Sequence, residues 1–148
     1  MRRSLVITLA ACLVTAVAPG FAQRLEAFTA RLDWVPIGGT ERNDVAGEGT
    51  VSAKLGGTNL AITGSFTGLP AKVTGAKLHA GVATGARGRG LVVADLQVTG
   101  GVSGTVSGDV HLSAEQMTAL KAGQLYIQIY SEKGVLPDHS TLWGWLLP

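Results

Sequence analysis

With 148 residues, 46% hydrophobic, only 15% charged and carrying 21 glycines, the chain has the size of one domain and the texture of short strands and turns. Its formal charge of +2 rests on Arg2 and Arg3, since residues 1–22 hold no acid and the remainder has ten basic and ten acidic side chains. That neutral remainder excludes a generic attraction to nucleic acid or to an anionic lipid surface.

Residues 1–22 read as an export signal: two arginines, an apolar run from Leu5 to Val17, and small residues at Gly20 and Ala22 ahead of Gln23. The run of 13 residues is too short for a spanning helix, which needs about 20. Processing is therefore expected to leave no transmembrane span and to deliver residues 23–148 to a periplasm or the cell exterior. Leu9-Ala10-Ala11-Cys12 offers an alternative, a lipoprotein box that would anchor the chain through Cys12, although Leu13 to Val17 would then make an apolar mature start. Cys12 is the single cysteine, so the domain must stand on its core without a disulfide.

The rest alternates with period two. Leu25 to Val35 places Phe28, Ala30 and Leu32 on one side, and Pro36 to Asp44 is a polar loop. Glu48 to Leu55 is a strand burying Val51, Ala53 and Leu55; Gly56-Gly57-Thr58-Asn59 turns it back into Leu60 to Phe66. Val73 to Val82, Leu91 to Val98 and Val102 to Leu112 continue the series, the last a glycine-rich strand expected to bury Val102, Val106 and Val110. Ser113 to Gly123 changes period. Ser113 with Gln116 forms a capping box, Leu112 and Met117 can staple the entry, and Gly123 stops the helix. Its apolar Met117, Ala119 and Leu120 suit the end of a sandwich. Leu125 to Ser131 and Thr141 to Leu147 complete the sheets.

These segments, in this order, resemble the CHRD (chordin-type) domain, common in exported bacterial proteins. The resemblance runs from Phe28 to Leu147. It is carried by Phe28-Thr29-Ala30-Arg31-Leu32, Ala76-Lys77-Leu78-His79-Ala80-Gly81, the glycine-rich entry to Val92-Val93, and the Leu112 to Gly123 helix. Leu125 to Tyr130 and Thr141 to Leu146 close it. It implies an all-β fold, a Greek-key-like antiparallel β-sandwich with one short helix near the C-terminal strands, similar in broad layout to copper-zinc superoxide dismutase but without its chemistry. It also implies no well-defined catalytic role. In the family pattern the positions of Lys77, His79, Gln128, Tyr130, Thr141, Trp143 and Trp145 tend to be a polar, imidazole-rich cluster. Here only His79 keeps its imidazole. Lysine repels a divalent cation and tryptophan cannot ligate one, so a metal site of that kind is expected to be lost.

Alternation puts Lys77 and His79, Gln128 and Tyr130, and Thr141, Trp143 and Trp145 on one face. Lys77, His79, Gln128, Tyr130, Trp143 and Trp145 are the candidate binding residues. His79 reads first as a histidine satisfied within the sheet beside Tyr130. A metal or redox reading would join it to Asp138 and His139 in the Gly134 to Ser140 loop, with copper or zinc as cofactor; otherwise none is expected. Trp143, Trp145, Tyr126 and Tyr130 either pack inward or form an apolar platform with a polar rim, suited to a glycan or an envelope protein. Arg87 and Arg89, between glycines and without interleaved aromatics, suit a solvated turn rather than an RNA site. No catalytic motif occurs: Ser140 beside His139 is not a triad, and neither a nucleophile elbow nor a zinc-protease helix is present. The expectation is a non-enzymatic binding or structural module, with a metal-handling protein as the alternative.

Overall fold

The computed structural model describes residues 25–81 and 90–148. The expected signal, Cys12 and the Arg87–Arg89 turn lie outside these residues. The described strands are β1 (Glu26–Trp34), β2 (Glu48–Gly56), β3 (Asn59–Thr67), β4 (Val73–Ala80), β5 (Leu91–Gly100), β6 (Gly104–His111), β7 (Leu125–Val135) and β8 (Ser140–Trp145). One helix, α1 (Ala114–Lys121), joins β6 to β7. The fold is all-β and antiparallel, as expected, with strand order β1-β2-β3-β6-β5-β4-β7-β8 closed into a barrel.

Closure corrects the sandwich. Two strands bend from one half of the molecule to the other. In β1, Glu26 to Leu32 pair with β2, and Asp33 and Trp34 cross to Leu142 and Trp143 of β8. In β5, Leu91 to Leu96 pair with β4, and Gln97 to Gly100 pair with β6. A sandwich and a flattened barrel share one in-out alternation, so the sequence pattern does not separate them. The β1–β8 seam is tight. A Cβ on Gly144 would lie 2.1 Å from the Arg31 carbonyl oxygen, so the close approach demands glycine.

The interior is apolar. Phe28, Ala30 and Leu32 meet Val51, Ala53, Leu60, Ile62, Leu78, Leu96, Ile127, Ile129 and Leu142 in one cluster. Val106 and Val110 join it, but Val102 is 51% exposed. It belongs to the turn before β6, so the Val102–Val106–Val110 face begins only at Val106. Helix α1 closes one end, with the Ser113–Gln116 capping box formed in both directions and Leu120 fully buried. Met117 and Ala119 pack against the same cluster. Among the described residues no helix is long and apolar enough to cross a membrane.

Candidate functional site

Strands β4, β7 and β8 lie side by side, and their register brings the outward residues into rows. Lys77 pairs with Gln128, which pairs with Trp143; His79 pairs with Tyr126, which pairs with Trp145. Tyr130 lies one outward step beyond Gln128 on β7. All six candidate residues therefore share one face, as alternation required. The face is neither barrel interior nor open platform. Tyr126 is 0% exposed, Gln128 3%, His79 6% and Tyr130 8%, while both tryptophans are half-buried.

Aromatic packing explains the burial. The His79 ring stacks on Tyr126 with centroids 4.9 Å apart and planes 8° from parallel. Trp145 meets Tyr126 edge-on at 4.9 Å, Trp143 does so at 5.8 Å, and the two indoles meet each other at 5.7 Å. Such edge-to-face pairs contribute about 0.5–1.5 kcal/mol beyond the buried area. Trp143 also packs on Val35, Val45 and Val135, a small second core beside the chain that links β1 to β2.

The polar atoms are just as constrained. His79 Nδ1 lies 3.1 Å from the Gly90 carbonyl oxygen, and Nε2 lies 2.8 Å from the Tyr130 hydroxyl. A carbonyl can only accept, so Nδ1 carries the proton and Nε2 accepts from Tyr130. The Gly90 amide in turn donates to the Tyr126 hydroxyl at 2.7 Å. Gly90 thus has both backbone groups held by this aromatic pair, and a Cβ there would lie 2.2 Å from the Ala80 carbonyl oxygen. Burial pushes the His79 pKa below 6.5; the bond to Gly90 opposes this, Lys77 adds to it, and Asp138 opposes it. Burial, with the Asp138 carboxylate, pushes the Tyr130 phenol well above its usual range. Burial also raises Tyr126, against its bond from Gly90.

Beside this cluster is an open recess of about 390 Å³, lined by Gly75, Lys77, His79, Val92, Tyr130 and Asp138 among others. Lys77 Nζ is bridged to Asp95 Oδ1 of β5 at 2.9 Å. Asp138 approaches from the β7–β8 turn, its Oδ1 accepting from the Ser140 amide at 3.3 Å. For the set His79, Asp138 and His139, the structure brings Asp138 to the recess beside His79. His139 is exposed and does not line it. Among the described residues no group of three or more His, Cys, Asp or Glu side chains is placed to hold a metal ion. His111 lies on β6 in the other half, within bonding distance of Thr58. Thr141, of the same family positions, is fully buried against Ser131 and the Lys133 carbonyl. Sequence reasoning missed Gly75, Gly90, Val92 and Asp95. A glycine followed by three apolar residues carries no signal that its backbone anchors two rings.

No curated protein and no solved structure matches the chain. The family model for the CHRD domain matches residues 28–134, from β1 almost to the end of β7, so β8 with Trp143 and Trp145 lies beyond the matched segment. Covering most of the sequence in the order of the strands that build the barrel, that match shows that the chain belongs to the CHRD domain family.

Proposed function

We propose that this protein is an exported, non-enzymatic binding module that captures a partner protein of the cell envelope on the outer face of β4, β7 and β8. Export rests on the signal-like character of residues 1–22, and the periplasm or the cell exterior follows from it. A binding or structural role accords with the CHRD family, which as a family carries no defined catalysis. The observation that carries the reading is the second, outward core. His79, Tyr126, Trp143 and Trp145 rigidify the floor beside a recess whose rim is charged. Rigid aromatic support next to a recess lowers the ordering cost of binding. Because the indoles are spent on one another and on Tyr126, a protruding side chain entering the recess fits better than a sugar ring laid flat on tryptophan.

The test is affinity capture from envelope extract, with bound proteins identified by mass spectrometry. Gly75→Met fills the recess, since a Cβ at Gly75 meets nothing within 4 Å. The reading expects a specific partner retained by the wild type and lost from a folded Gly75→Met variant. An unchanged set of bound proteins would remove it.

A further inference from the structure

The geometry points to a site for a primary ammonium group in the recess between Tyr130 and Asp138, with the ligand's apolar stem against Val92. This inference deepens the binding reading above by naming the chemistry the recess accepts. Hydrogen-bond polarity is its first support. The Gly90 carbonyl commits the His79 proton to Nδ1, so the Tyr130 hydroxyl spends its proton on Nε2. What Tyr130 offers the recess is therefore lone pairs alone. The Asp138 carboxylate likewise only accepts. An acceptor-lined corner calls for a donor, and an ammonium brings three.

Charge is the second support. Among the described residues, the cation lining the recess, Lys77, is already engaged by Asp95, which leaves the Asp138 carboxylate without a cationic partner at the rim. Its field reaches the neighbouring phenols, adding to the burial that chiefly raises both Tyr130 and Tyr126. Among the described residues, an anionic ligand would meet the Asp138 carboxylate with the Lys77 ammonium already spent on Asp95, whereas a cation is attracted by the same arrangement. The volume of about 390 Å³ takes a short aliphatic amine or the end of a lysine side chain.

The test uses cadaverine as probe, with glutarate as an anionic counterpart of similar length, and follows the backbone amide resonances of Gly75 and Asp138. Cadaverine should give saturable shifts and glutarate none. Asp138→Asn keeps an oxygen for the Ser140 amide but removes the charge, and should weaken cadaverine on the order of threefold or more. Lys77→Met removes a repelling charge and should tighten it on the order of threefold. Gly75→Met should abolish the response. A second arm compares a peptide bearing one lysine with its acetyl-lysine form. Tighter binding of the lysine peptide than of cadaverine assigns the ammonium to a partner protein, and the reverse order assigns it to free amines. Binding of glutarate, loss of binding in Lys77→Met, or no saturable shift with cadaverine overturns the ammonium site. If that happens while Gly75→Met still loses its captured partner, the face remains a docking site of other chemistry.

Discussion

On β2 and β3 the outward residues Thr50, Ser52, Thr63 and Ser65 are all exposed, whereas on β7 the outward Tyr126, Gln128 and Tyr130 are 0%, 3% and 8% exposed. Both sets obey the same alternation, and both lie opposite an apolar interior. A short hydroxyl on a sheet surface is solvated by water and needs no protein partner. A phenol or imidazole in a buried position does, because an unpaired buried polar group costs about 1–3 kcal/mol. The second face meets that demand: among the described residues no buried side-chain nitrogen or oxygen lacks a partner. The difference teaches that β7 serves two cores. Its run from Leu125 to Ser131 is buried at every position, which a strand with one solvated face never is.

The largest expected effect tests the shared inner side. Ile127→Ala removes a fully buried side chain from the barrel interior and should cost about 2–5 kcal/mol in urea denaturation. Next comes the outer core. Tyr126→Phe keeps the ring but deprives the Gly90 amide of its acceptor, and should cost about 1–3 kcal/mol by the same measurement. A loss as small as that of a surface substitution would reduce the outer cluster to decoration.

A pH series sharpens the contrast further. Burial, its largest cause, holds the folded His79 pKa below the ordinary 6.5, so the folded state prefers the neutral ring. The unfolded chain then binds more protons between the two values, and stability rises with pH across that interval. The His79 contribution should be fully present above pH 6.5 and be lost as pH falls through the lower folded value. Denaturation midpoints measured from pH 7.5 down to 4.5 should fall less steeply in His79→Gln than in the wild type. The smallest effect belongs to the solvated face: Thr63→Ala should change stability by no more than about 0.5 kcal/mol.

Much of this was legible beforehand, for reasons that differ by residue. The Ser113–Gln116 capping box is a local device and forms where the spacing places it. Lys77, His79, Gln128, Tyr130, Trp143 and Trp145 share a face because side chains alternate strictly along paired strands. Val102 failed because its parity is right but the chain turns there before pairing begins. Gly90 was invisible because its role lies in backbone groups that every residue possesses. Whether Trp143 and Trp145 would be core or platform was undecidable from type alone. Large aromatics satisfy either, and here Tyr126 meets both indoles and the Val35–Val45–Val135 cluster meets Trp143, so both stay half-buried.

By itself the sequence determined the strand series, the helix, the glycine breaks and the parity of every outward residue, because these follow from periodicity and short-range sterics. Only the tertiary structure decided that β1 and β5 bend to close a barrel, that the outer face of β7 becomes a second core, and that a recess opens between Tyr130 and Asp138. Each of these depends on which strands become neighbours and how far a turn reaches over them. Pairing across long stretches of chain is set by the combined packing of all the strands, and no single segment encodes it.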